Sequence, residues 1–364
     1  MAGELAGLTD LLAARLTGLF DVQGKVSGRA GVLETGVAPV IAALASQHGG
    51  PVLVLASAPS RAHSLTEEIS MFLDACPVVR LSERERLPYE FSPDAHGSGA
   101  ARAQALGLLS RPERGVVVAS WPSIAEHCAG PAGQLESVSL SPGNDVDPGE
   151  LMARLEQLGY AVVHWADGPG TASRRGGIVD VFPATGEHAW RIEFFGDAVE
   201  SIRAVDTRSQ RSTGRVDRIE LPPAATGTRA AREAARALAD ALDPAGQDAE
   251  AIVGQLELVG GGERSTYESF LEPLLHTTTA LDHLHATCLV VFDDAEAGAA
   301  ALEAALQHDE RARRELERRQ SIPVGLPDLR VGPSEINALA ARFPVVHLDR
   351  FGGDSLGARR LPLR

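Results

Sequence analysis

Residues 174–211 read RRGGIVDVFPATGEHAWRIEFFGDAVESIRAVDTRSQR. The pair Gly176-Gly177 punctuates the chain ahead of the apolar run Ile178-Val179-Asp180-Val181-Phe182. Residues 183–188 mix Pro, Gly and polar side chains, which is a turn signal. Residues 190–195, Trp-Arg-Ile-Glu-Phe-Phe, then alternate with the period of two expected of a strand. Successive strand residues point to opposite faces. Trp190, Ile192 and Phe194 therefore share one face, and Arg191, Glu193 and Phe195 share the other. Gly196-Asp197 supplies the next turn and residues 199–205 a third strand. The stretch predicts a three-stranded meander with an ordinary apolar face on one side. Its other side pairs arginine with phenylalanine, a composition typical of protein-binding hot spots.

Upstream of the meander the pattern is different. The short apolar runs at 51–56 and 115–120, with a further strand at 78–81, alternate with helical segments at 36–47, 64–73 and 100–109. Apolar runs of this kind suit strands buried on both faces, and their alternation with helices predicts a parallel sheet. A helix is also expected at 4–20. Beyond the meander, residues 226–242 and 295–319 read as helices and 287–292 as a buried strand. Late strands are expected at 329–331 and 345–348, around a helix at 334–342. Residues 243–262 carry the weakest signal and end in Gly260-Gly261-Gly262, which reads as a loop; this stretch is expected to be partly mobile. The predicted organisation is an α/β domain in two parts, 1–132 and 224–364, with a small α+β domain inserted at 133–223.

Size and composition agree with a multidomain chain. At 364 residues it exceeds one ordinary core. No apolar run reaches membrane-spanning length, and residues 1–20 read as an amphipathic helix rather than a leader, so a cytoplasmic protein without membrane association is expected. Cys76, Cys128 and Cys288 are odd in number and far apart, which fits reduced thiols rather than a disulfide frame or zinc site. A net charge of −15 argues against a broad nucleic-acid surface, which needs clustered cations.

The order RRGG-I-V-D-V-F-P, R-I-E-F-F-G-D-x-V-E-S-I-R, D-x-x-S-Q-R resembles the small second domain shared by UvrB of nucleotide excision repair and by Mfd, the bacterial transcription-repair coupling factors. The ending Ser209-Gln210-Arg211 and the stretch Leu87-Pro88-Tyr89-Glu90-Phe91-Ser92-Pro93 are closer to Mfd. The resemblance implies a RecA/UvrB-like α/β domain with an inserted UvrA-binding domain. It also implies that Arg175, Arg191 and Phe195 lie at the UvrA contact. Gly170-Thr171-Ala172 departs from the Gly-Glu-aromatic that usually precedes the glycine turn, which weakens the expected contact on that side. Arg191 and Phe195 are expected to be solvent-facing, with Arg175 joining them so that two guanidinium groups flank one apolar anchor. Changing them should then leave the core intact.

A nucleotide site of the UvrB kind is expected to be dead. A P-loop needs G-x-x-x-x-G-K-[ST], with backbone N–H groups around phosphate, a lysine on the outer phosphates and a hydroxyl on Mg²⁺. The only lysine, Lys25, is followed by Val26. By context the best match is 26–32, Val-Ser-Gly-Arg-Ala-Gly-Val. This stretch includes Gly28, its Gly31 and Val32 stand where Lys and Ser/Thr would be, and the turn shape is expected to survive without those chemical groups. Asp293-Asp294 resembles a Walker B pair; its plainer reading is a solvated strand end. There is no room between Tyr89 and the helix at Ala100 for the DNA-inserting hairpin of UvrB. His283-x-His285 lacks a ligand cluster and reads as surface histidine. The expectation is thus a non-catalytic adaptor without cofactor, metal or strong nucleic-acid binding. Its partners would be UvrA and the remaining motor and C-terminal domains of Mfd. The alternatives are an active UvrB-type damage-binding ATPase, or an autoinhibitory module of the Mfd motor.

Overall fold

The computed structural model describes residues 28–349, apart from 75, 85, 94–99, 132–137, 159, 169, 184–187, 207–210, 222–228, 245 and 264. The helix expected at 4–20, together with Val26 and Ser27, lies outside the described residues.

The first part of the chain runs β1 (Gly28–Gly31), α1 (Val37–His48), β2 (Pro51–Ala56), α2 (Pro59–Phe72), β3 (Val78–Leu81), α3 (Ala100–Leu109), β4 (Gly115–Ser120) and the one-turn α4 (Trp121–Ile124). The middle part is β5 (Val138–Leu140), α5 (Pro148–Gln157), β6 (Ala161–Val162), β7 (Thr171–Arg175), β8 (Ile178–Phe182), β9 (Ala189–Phe195), β10 (Ala198–Asp206), β11 (Arg211–Arg215) and β12 (Ile219–Leu221). The last part is α6 (Arg229–Ala241), α7 (Gln247–Gly261), α8 (Glu268–Leu275), β13 (Leu289–Asp293), α9 (Ala295–Arg318), α10 (Pro333–Ala340) and β14 (Val345–Asp349).

β1, β14, β13, β2, β4 and β3 form, in that order, a parallel sheet that draws strands from both ends of the chain. β2 and β4 are buried along their whole length, as their unbroken apolar sequences require. One face packs on α1 and α2 through Ile41, Leu44, Leu65 and Ile69. The other packs on α3, α4 and α9 through Leu109, Trp121 and Leu302. Here Gly298 of α9 lies against the indole of α4: an added Cβ would come within 2.1 Å of Trp121 Nε1. Gly298→Ala must displace a buried ring, and overpacking of this kind costs about 1–3 kcal/mol. A fall in melting temperature is expected; an unchanged melt would mean that α9 can slide away at no cost.

A second sheet has the order β11-β10-β9-β8-β7-β6, antiparallel except for β6 with β7. The expected meander is its centre, β8 to β10. α5, with Asp147 accepting from the N–H groups of Gly149 and Glu150 at its start, covers one face of this sheet. The resulting core holds Leu151, Leu155, Val179, Val181, Ile192 and Ile202. β5 and β12 pair antiparallel, Val138 with Leu221 and Leu140 with Ile219, and their apolar residues join the same core.

α6, α7 and α8 make a third layer around Ala235, Ile252, Leu256 and Leu271. α7 corrects the expectation of a mobile 243–262: Ala249, Ile252, Leu256 and Val259 form a buried stripe at helical spacing. Tyr89 and Phe91 from the loop after β3 dock here. The Tyr89 hydroxyl donates to the Pro327 carbonyl (2.8 Å), and Phe91 stacks on Tyr267 with ring centroids 4.2 Å apart. The strand expected at 329–331 is not formed; Arg330 makes only an isolated bridge to Glu126.

That bridge belongs to a buried ionic knot. Glu126, just after α4, lies 3.1 Å from an Nη of Arg102, 3.2 Å from an Nη of Arg330 and 3.5 Å from Nε of Arg84. Arg84 also reaches Glu272 of α8 (2.9 Å), and Arg330 reaches Asp309 of α9. Burial pushes the Glu272 carboxyl up, but the charges of Arg84 and Arg102 and the Ala129 N–H outweigh it and hold the pKa at about 2. The knot joins the parallel sheet, the Tyr89 loop and the helical layer.

Candidate functional site

The face of the second sheet opposite α5 is polar and exposed toward one end, while Phe182, Ala189 and Val205 make a small buried apolar cluster toward the other. Two tight hairpins set its outline. Arg175 pairs with Ile178 across Gly176-Gly177, and Phe195 pairs with Ala198 across Gly196-Asp197. Gly176 (φ 62°) and Gly196 (φ 63°) adopt the left-handed backbone that two-residue hairpins demand. Both turns lie at the same end of the sheet, which brings Arg175 and Phe195 to one margin. Phe195 is 82% exposed, whereas Ile192 on the α5 side is fully buried. The period-two alternation thus placed each side chain of β9 on its observed face.

Register defines the rest. Ile178 stands opposite Arg175 on one side and Glu193 on the other, and Asp180 stands opposite Ser173 and Arg191. Asp180 is buried at 5% side-chain exposure and is shared by two arginines. It accepts from Nε and an Nη of Arg191 (2.7 and 2.9 Å) and from an Nη of Arg175 (2.6 Å). Hydrogen bonding to Asp180 raises the pKa of Arg191 further, so the group is charged at any physiological pH. The Arg175 guanidinium also sits 4.1 Å over the ring of Trp165, itself partly exposed.

These contacts change the expected site in two ways. Arg191 is not a freely solvated arginine: its side chain is only 16% exposed and it neutralises a buried carboxylate. The two arginines also do not flank Phe195. Arg175 lies in the row of Glu193 and Arg191 one row further in, at about 7 Å per two residues, so both lie on the same side of the phenylalanine. The sequence signal for Asp180 and Trp165 was slight, because a carboxylate inside an apolar run and a lone tryptophan well before the turn gain meaning only from pairing.

The segment expected to keep a P-loop turn does not do so. Gly28 and Gly31 belong to β1, an edge strand paired in parallel with β14 from Gly28↔Val346 to Gly31↔Asp349, and Val32 follows with its N–H bonded to the Asp349 carbonyl. The strand-to-helix loop lies later, between β1 and α1. There Gly31 and Gly36 have the G-x-x-x-x-G spacing, and buried Val37 and Ala38 stand at the lysine and hydroxyl positions. Asp293 is not a solvated strand end: it is fully buried at the end of β13, with Arg61 Nε 3.0 Å from its carboxylate. Asp294 caps α9 by accepting from the Ala297 N–H. His283 and His285 contact the Ala129 carbonyl and the Thr287 hydroxyl, and no metal-holding cluster of acidic, His or Cys residues occurs among the described residues.

A mostly antiparallel sheet with one helix-covered face and one arginine-bearing face, bracketed by a paired ribbon, is what the described residues from Val138 to Leu221 form, and residues 138–226 match the family described as the UvrB interaction domain. Over half to three quarters of its length the chain is similar to proteins named transcription-repair-coupling factor. It is 33% identical over 228 residues to that of Mycobacterium bovis (58% of this chain, 18% of the relative). Identity to the Escherichia coli protein is 31% over 189 residues (51% and 16%), and to a Staphylococcus aureus protein 26% over 284 residues (75% and 23%). The chain therefore spans less than a quarter of the length of these relatives. Among the described residues no helix is long and apolar enough to cross a membrane.

Proposed function

We propose that this chain is a non-catalytic recruitment module of transcription-coupled repair that docks UvrA on the open face of its UvrB interaction domain, through Phe195, Arg175 and Arg191. The observation that carries the reading is an 82%-exposed phenylalanine at the margin of an ordered arginine pair, inside a domain of this family. A large apolar side chain held in water beside oriented guanidinium groups suits a partner that buries all three. Motor and polymerase-binding activities would reside in further domains of a larger coupling factor.

The non-catalytic part rests on the corner between β1, β13 and α1. Val37 and Ala38 offer neither charge nor a metal-ligating hydroxyl, and the Asp293 carboxylate is held by an internal guanidinium rather than left for Mg²⁺. Titration calorimetry with Mg-ATP is expected to show no heat beyond dilution. Saturable micromolar binding would overturn this part. Capture of purified UvrA by the immobilised protein tests the docking part, and its absence would overturn that.

A further inference from the structure

The cross-strand register places three arginines in one line on the open face. Arg191 of β9 is directly opposite Arg203 of β10, and Arg203 is directly opposite Arg215 of β11. Neighbouring strands are about 4.8 Å apart, and like charges directly opposite each other are destabilising. Two carboxylates partly offset them. Asp180 is already shared by Arg191 and Arg175, while Glu193 accepts from the Ser201 hydroxyl and lies 3.5 Å from Arg203. The four arginines and two carboxylates leave this face positive on a chain whose net charge is −15. Arg203 is one-third exposed and Arg215, on the outermost strand, is exposed.

We infer that the UvrA-docking face extends across β10 and β11, and that Arg203 and Arg215 receive an acidic segment of UvrA. The inference rests on the docking reading above. Two arguments favour an acidic protein segment. The arginine line is joined to Arg175 through the shared Asp180 and lies on the same face as Phe195, two residue pairs along β9, and an apolar anchor gains nothing from a phosphate backbone. A line of only three arginines, flanked by Asp180 and Glu193, is also a poor match for the many phosphate contacts that give duplex affinity. The arginine line would then steer the approach of UvrA while Phe195 supplies the buried anchor, a division between rim charge and core contact common at protein interfaces.

The test compares wild type, Phe195→Ala, Arg215→Glu and Arg203→Glu for UvrA binding by interferometry at low, physiological and high salt. A 30-base-pair duplex serves as a second analyte. Because Arg203 contacts Glu193, its variant is checked by thermal melt, and exposed Arg215 carries the test if that variant fails to fold. Arg215→Glu is expected to weaken UvrA binding on the order of tenfold, mainly through slower association, and to flatten the salt dependence. If wild type binds UvrA and Phe195→Ala does not, but Arg215→Glu matches wild type in rate and salt slope, the extension is overturned while the docking reading stands. Duplex binding lost in Arg215→Glu with UvrA binding unchanged overturns it in favour of nucleic acid. Failure of wild type to bind UvrA removes both.

Discussion

Glu126→Ala is expected to lower the melting transition by roughly 10 °C. Its carboxylate is the common partner of Arg84, Arg102 and Arg330, which come from the loop after β3, from α3 and from the segment before α10. Removing it leaves three nearly buried guanidinium groups facing a cavity. Breaking a buried ion pair from one side costs about 3–5 kcal/mol, because the remaining charge is uncompensated. At about 2–4 °C per kcal/mol for a large domain, that is the expected shift. Glu272 and Asp309 soften the loss, since they hold Arg84 and Arg330 from their other sides. Glu126→Gln keeps the shape and should cost less. Circular dichroism melts of both variants check this, and an Ala variant melting like wild type would show that the knot is stabilised elsewhere.

Phe195→Ala is expected to reduce UvrA affinity by about 2 kcal/mol or more, roughly thirtyfold, with no change in the melt. The side chain is 82% exposed and supports no core contact, so the two readouts separate. Arg191→Glu would not separate them. A glutamate there would face Asp180, buried and already dependent on Arg191 for two of its hydrogen bonds, and the sheet itself would lose stability. Loss of UvrA binding by Arg191→Glu is therefore expected together with a lower melting temperature. Normal UvrA binding by the folded Phe195→Ala variant would remove Phe195 from the site.

The strands legible in the sequence were those with one strong constraint. β2 and β4 are unbroken apolar runs, and β9 alternates from Trp190 to Phe194, so burial alone fixed their faces. α7 was obscured because Gly254 and Gly260–Gly262 look like loop punctuation, although its buried stripe keeps helical spacing. The candidate site's contacts were not legible in the sequence. That Asp180 would hold two arginines depends on which residues stand opposite across β7, β8 and β9, and register is set by the hairpins rather than by local pattern. The glycine motif was misplaced for a similar reason. Residues 28–31 match a turn in composition, but pairing with β14, more than 300 residues away, makes them a strand.

The β5–β12 ribbon bears on how such a domain travels between proteins. Val138 and Leu221, near the two ends of the unit, are paired neighbours, and Leu140, Ile219 and Leu221 already contribute to its own core. A host loop would need to open by only about one strand spacing to accept it. A module whose two ends are clasped together can be grafted into an unrelated scaffold, or excised from this one, without stretching either, so the same sheet and its exposed margin can be carried by proteins that otherwise share no task.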